Sequence, residues 1–253
     1  MKRITLCADD FGQSVAISSG ILQLVAAERL QAVSCMTESN IWPKMACRLK
    51  ALDPKQQIGL HFNLTHGFNR PNRRVTLLIL RALLRQLDPC EIRRQFVQQW
   101  LAFEDHYGQA PEFVDGHQHV HALPIIRRIV IEETHQRNPR AWVRVPHSGG
   151  LMPKEVMLRT MTTGFSVDLK NAGIVSNARF AGFRPYCRNF DFARFFRHLL
   201  ATVEDDTLVM CHPGESADDP RDPIGGCRQE ELDYLLSEQF TSDLAIAGFR
   251  LNH

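Results

Sequence analysis

The sequence predicts an α/β fold, a (β/α) TIM-like barrel of seven or eight parallel strands in a single domain spanning 1–253, and three observations point to it. Apolar runs such as Ile4 to Ala8 and Thr207 to Cys211 read as strands buried on both faces. These runs alternate with amphipathic helical stretches seven or eight times, which is how a parallel sheet is written in sequence. With 253 residues and 44% hydrophobic content, the chain can bury a substantial core, and single barrels of this length are routine. A closed or nearly closed barrel fits better than two small sheets, with an open doubly wound sheet as the alternative.

The elements follow in order. The first run ends in Asp9-Asp10-Phe11-Gly12, two carboxylates and a glycine turn at a strand's carboxyl end. Ser14 then opens a helix with Ile17, Ile21, Leu24 and Val25 on one face, and since Ser14 can cap it, the aspartates are free for other work. Gln31 to Thr37 reads as a strand, Pro43 to Leu52 as a helix closed by Asp53-Pro54, and Gln57 to Thr65 as a strand with His61 and Asn63 on one face and Leu60, Phe62 and Leu64 on the other. A polar loop, His66 to Arg74, leads to helices at Leu77 to Leu87 and Pro89 to His106, and Gly108 to Pro111 stops the second. Glu112 to His121 reads as a strand, Pro124 to Gln136 as a helix and Ala141 to Pro146 as a strand, while Ser148 to Met152 and Thr160 to Phe165 carry no clear pattern. Phe180 to Phe183 reads as a turn into a helix at Phe190 to Leu200. Thr207 to Cys211 leads into His212-Pro213-Gly214. A polar loop at Ser216 to Gly226, a helix at Arg228 to Phe240 and a short strand at Gly248 to Leu251 complete the chain.

Composition narrows the function. A formal charge of +2 with 23% charged residues provides no global field for nucleic acid or a membrane surface. No run approaches the roughly 18 apolar residues of a membrane span. Seven cysteines, an odd number without a C-x-x-C pair, argue against a disulfide framework and a cysteine zinc site and read as small core residues in a reducing compartment. With Met1-Lys2-Arg3-Ile4 entering a strand at once, a cytoplasmic location is expected. The sequence leaves the oligomeric state open, a homodimer included.

Four strand ends carry polar groups: Asp9-Asp10, His61, Asp115 with His117, His119 and His121, and His212. In a parallel barrel all of them open onto one face, where the chemistry of such folds collects. Residues 115, 117, 119 and 121 share parity, so a straight strand would point them the same way. Two imidazoles and one carboxylate make a compact site for a divalent ion with positions open to water and substrate. The remaining groups can orient the ligands, and Asp115 and His119 suit that work.

The segments Ala8-Asp9-Asp10-Phe11-Gly12, Gly59-Leu60-His61-Phe62-Asn63-Leu64-Thr65, Asp115-Gly116-His117-Gln118-His119-Val120-His121 and His212-Pro213-Gly214, in this order, resemble the YdjC-type carbohydrate (chitooligosaccharide) deacetylase family over nearly the whole chain. The resemblance implies a distorted (β/α) barrel that hydrolyses N-acetyl groups on sugars with one divalent metal ion, Mg2+ or Zn2+. It further implies that Asp10, His61 and His117 bind the metal, that Asp9 is the base, and that His212 is the acid or a substrate contact. Cys7 stands where the family often has asparagine, and Ser18-Ser19 where similar proteins carry an asparagine. Neither touches the implied ligands, so they bear on substrate choice rather than on chemistry.

The expected activity is therefore metal-assisted hydrolysis of an N-acetylated amino sugar or oligosaccharide. The alternatives are a metal-dependent phosphoesterase or other amidohydrolase, which would more often use two metals, and a non-catalytic sugar-binding protein on the same fold. Arg144, near its strand's end, could hold sugar hydroxyls, orient Asp9 through a forked hydrogen-bond pair, or pair on the outer surface. The loop from His66 to Arg74 is a second candidate wall for substrate.

Overall fold

The computed structural model describes residues 1–68, 71–147, 149, 153–186, 190–217 and 219–251. Its strands are β1 (Lys2–Phe11), β2 (Ala32–Cys35), β3 (Gln57–Phe62), β4 (Phe113–Gly116), β5 (Trp142–Val143), β6 (Arg179–Ala181), β7 (Thr207–Cys211) and β8 (Phe249–Leu251). The helices are α1 (Val15–Ala26), α2 (Trp42–Ala51), α3 (Val75–Leu83), α4 (Pro89–Tyr107), α5 (Ile126–Arg137), α6 (Pro153–Met161), α7 (Phe165–Asn171), α8 (Phe192–Thr202), α9 (Arg228–Leu236) and α10 (Glu238–Ile246).

Every strand pairing is parallel, in the order β5-β4-β3-β2-β1-β7-β6, with β8 against the first residues of β1. The order ends at β5 on one side and β6 on the other, and the seam lies between them. A bridge from Val143 to Ser176 and the Asn177 side chain, bonded to the Val145 N–H and carbonyl, draw the two ends together, so the architecture is a distorted barrel.

Two apolar clusters build it. The larger joins outward-facing strand residues such as Leu6, Val33, Leu60, Phe62 and Val114 to the helices. The smaller fills the barrel interior with Cys7, Ala32, Phe113, Phe180, Leu208 and Met210. Phe113 needs the space that Gly59 leaves, since a Cβ there would lie 2.5 Å from the ring. Side chains of a strand alternate between faces, so the residue two positions later faces inward one layer higher. That layer is polar: Asp9 after Cys7, Ser34 after Ala32, His61 after Gly59, Asp115 after Phe113, Arg144 after Trp142 and His212 after Met210.

Several expected elements come out differently. The strand read at Glu112 to His121 stops at Gly116, and His117 to Ala122 winds as a 3-10 turn with Gln118 and His119 in the left-handed region at φ 54° and 59°. The shared parity of 115, 117, 119 and 121 therefore does not aim those side chains together. Phe180 to Phe183, read as a turn, overlaps strand β6, which is only three residues long and lies too near the seam to show a pattern. The helix read at Arg228 to Phe240 breaks at Ser237, whose side chain accepts the Phe240 N–H and caps α10. Residues 69–70, 148, 150–152 and 218, within stretches read as loops or left unassigned, lie outside the described residues. Among the described residues, no helix is long and apolar enough to cross a membrane, and the six cysteines are free thiols.

Candidate metal centre

The adjacent aspartates reach one site because β1 is irregular between Ala8 and Phe11. Asp9 keeps the inward parity of Cys7. Asp10 would face the helices on a regular strand, but at φ 70° it takes the left-handed conformation that aspartate tolerates better than most residues. Such an irregularity re-aims a side chain at a sheet rim. Asp10 Oδ1 thus lies 2.9 Å from His117 Nδ1 and 3.4 Å from His61 Nε2. Ligand atoms of Asp10, His61 and His117 all lie within 4.8 Å of one another, close enough for one ion. Asp10 and His61 are buried, while His117 is partly open to solvent.

The groups around this trio fix it. Asp115 Oδ1 is 2.6 Å from His61 Nδ1, and Ser34 Oγ, donating to the same carboxylate oxygen, is 2.9 Å from that nitrogen. Proton placement on a histidine follows from its partners. With Nδ1–H donated to Asp115, it is Nε2 that faces Asp10 and the ion site, and loss of its proton leaves a lone pair there. Burial depresses His61, but Asp115 and Asp10 outweigh it and push its pKa up to about 10. Burial alone would raise Asp10, yet Arg228 and His117 hold it well below the usual carboxylate range. Four carboxylates, Asp9, Asp10, Asp115 and Asp222, face two guanidiniums, Arg144 and Arg228, leaving two negative charges when the imidazoles are neutral. A divalent cation cancels that charge, so the residues fit one.

A second convergence, Cys7, Asp9 and Asp115, already holds a cation. Arg144, fully buried, forks onto Asp9 with Nη1 to Oδ2 and Nη2 to Oδ1, both 2.7 Å. Its Nη2 also lies 2.6 Å from Asp115 Oδ2 and 2.9 Å from Cys7 Sγ. Of the readings the sequence left open for Arg144, orientation of Asp9 is the one the geometry shows.

His212 lies across the mouth at the end of β7. Its backbone N–H donates to Glu231 Oε2 at 2.6 Å, its Nδ1 is 3.1 Å from the Tyr186 hydroxyl, and burial pushes its pKa down. Burial pushes the Tyr186 phenol up, so Tyr186 keeps its proton while its hydroxyl pairs with Nδ1. Arg184 secures the pair by bonding Glu231 and covering the Tyr186 ring at 4.7 Å.

His119 and His121 go elsewhere. The His119 ring meets Phe180 and Phe183 edge-on, at 5.7 and 5.4 Å, and makes no hydrogen bond to the three candidate ligands among the described residues. His121 is buried with Nε2 2.8 Å from the Arg144 carbonyl, which places it beneath Arg144. Asn63 folds the next loop: its Oδ1 accepts from the N–H groups of Thr65 and His66, and its Nδ2 donates to Glu38. That brings the His66 ring to 6.1 Å from His117. Sequence reading missed Ser34, Arg184, Tyr186, Asp222, Arg228 and Glu231. The one signal was the parity of Ser34 with Ala32; a buried arginine looks like a surface one in sequence.

The family model for YdjC-like protein matches residues 3–245. Among curated relatives, the chitooligosaccharide deacetylase of Yersinia enterocolitica is 28% identical, covering 99% of this chain and 97% of its own. The human carbohydrate deacetylase is 26% identical, covering 98% of this chain and 89% of its own. Among solved structures, an Enterococcus faecalis protein proposed to cleave cellobiose phosphate superposes with a TM-score of 0.71 at 16% identity, over 100% of this chain and 97% of that one, and so shares the fold. Matched along nearly its full length, the chain belongs to the YdjC-like family.

Proposed function

We propose that this protein is a metal-dependent carbohydrate deacetylase that hydrolyses the N-acetyl amide of an amino sugar or oligosaccharide. The observation that carries the reading is the pairing of two functions on one irregular strand end. Asp10 joins His61 and His117 in a trio suited to one ion, while Asp9, the residue before it, is gripped by the Arg144 fork. Relatives named for carbohydrate and chitooligosaccharide deacetylation support the substrate class. A two-metal phosphoesterase is disfavoured because the second group of ligand-type side chains is already occupied by the Arg144 guanidinium.

When bound, a divalent ion supplies Lewis acidity that polarises the acetyl carbonyl and acidifies water. Two imidazoles and one carboxylate suit zinc or a similar transition ion better than magnesium, which prefers oxygen ligands. Asp115 sets the His61 tautomer and Arg144 holds Asp9 aimed through its two bonds. Asp9 takes the proton of the attacking water, and the same proton passes to the departing nitrogen as the C–N bond breaks, giving acetate and a free amine. His212, neutral at pH 7 and paired with Tyr186 through Nδ1, offers its Nε2–H as a hydrogen-bond donor to the reacting amide. Beside His66, a cavity of about 340 Å³ lined by Phe68, Gln95 and Gln98 is a wall for further sugar residues, at the small end of ligand sites.

The test is acetate release from N-acetylglucosamine and its oligomers of increasing length, with the protein stripped by chelator and then reloaded with Zn2+ or Mg2+. Acetate release that needs the ion supports the proposal. Chelator-insensitive release, or hydrolysis of phosphate esters alone, overturns it.

A further inference from the structure

The two oxygens of Asp10 are used differently. Oδ1 faces His117 and His61, whereas Oδ2 lies 2.7 Å from Arg228 Nη2. Arg228 opens α9, is 2% exposed, and is fixed on its other edges: Nε is 2.6 Å from Asp222 Oδ2, and Nη1 donates to the His212 carbonyl oxygen at 3.4 Å. An arginine fork can hold two carboxylates at once, and no lysine can copy that. Here one of the two is the candidate metal ligand.

We infer that Arg228 is a positioning residue that restricts Asp10 to a single oxygen toward the ion and holds down the site's affinity for it. The guanidinium occupies Oδ2, so only Oδ1 is left to coordinate. Its charge also draws on the electron density that the carboxylate would otherwise give to a cation, and partners of this kind tune a bound metal. A cation bound too well by a two-oxygen, fully charged carboxylate is a weaker electrophile. The effect on turnover rests on the deacetylase reading above; the effect on ion binding does not.

A purely structural arginine, cross-linking α9, the 216–226 loop and β1, would make the opposite prediction for the ion. Its loss would disorganise Asp10 and weaken binding. Arg228→Gln and Arg228→Lys in the full chain separate the two, using Zn2+ titration against a chromophoric chelator and the visible absorption of Co2+, which reports coordination number. In Arg228→Gln, Zn2+ should bind at least tenfold more tightly, the Co2+ bands should weaken as Asp10 offers both oxygens, and kcat should fall at least tenfold. Arg228→Lys, keeping the charge but reaching one carboxylate, should fall between. Unchanged or weaker Zn2+ binding with a wild-type Co2+ spectrum, in a variant that melts like wild type, overturns the inference. If Arg228→Gln does not fold, the same criteria apply to Arg228→Lys. Tighter Zn2+ binding in a protein whose wild type releases no acetate would sink the deacetylase reading and leave this one standing.

Discussion

Replacing Arg144 by lysine keeps the charge and removes the fork. In the structure the guanidinium makes two 2.7 Å bonds to Asp9 while its Nη2 stays 2.6 Å from Asp115. An ammonium on a flexible stem can serve one of those carboxylates well, so at least one charge-assisted bond is lost. Such bonds contribute about 1.5–3 kcal/mol, which as lost transition-state stabilisation is roughly a 10- to 150-fold drop in kcat/KM. The same loss in a fully buried position also lowers the melting temperature, by about 3–12 °C at roughly 2–4 °C per kcal/mol for a chain of this size. Full burial of Arg144 is what ties it to stability as well as to turnover. Zn2+ content, measured by elemental analysis, should stay at wild type, because Arg144 touches none of Asp10, His61 or His117. Wild-type kcat/KM for acetate release in a folded Arg144→Lys variant would refute the claim that Arg144 organises Asp9.

Asp9→Asn should bind Zn2+ like wild type and lose turnover, while Asp10→Asn should lose both; identical Zn2+ titrations of the two variants would end the division of labour. His121→Ala should keep its metal but lose about 1–3 kcal/mol of stability in urea melts, because the Arg144 carbonyl is left buried and unpaired; loss of the ion instead would place His121 among the ligands. His61, pushed up to about 10 in the ion-free protein, must release a proton to coordinate. Zn2+ affinity should therefore rise about tenfold per pH unit from pH 7 to 9, with one proton released in calorimetry across buffers of different ionisation enthalpy. The ion-free stability runs the other way. A raised folded pKa contributes stability that is complete below about 6.5, the unfolded value, and is lost as pH rises through about 10. A pH-independent affinity would mean that His61 is not a ligand.

Much of the fold and site was legible in the residues. Parallel strands buried on both faces are continuous apolar runs, so β1 and β7 announce themselves, and a barrel's chemistry must lie where those runs end in Asp9-Asp10, His61, Asp115 and His212. The sequence determined the alternation, the strand ends and the residue types of the candidate ligands, because these are local properties of periodicity and side-chain chemistry. Only the tertiary structure decided the aim of each group. Asp10 turns inward through one left-handed residue in an irregular strand, and His117, His119 and His121 part ways because the chain leaves β4 at Gly116 into a tight turn; periodicity has no record of either event. Arg228 and Glu231 reach the site from a helix more than 200 residues beyond Asp10, and what holds them there is the pairing of buried opposite charges across the fold, a long-range electrostatic requirement that no local stretch of sequence can express.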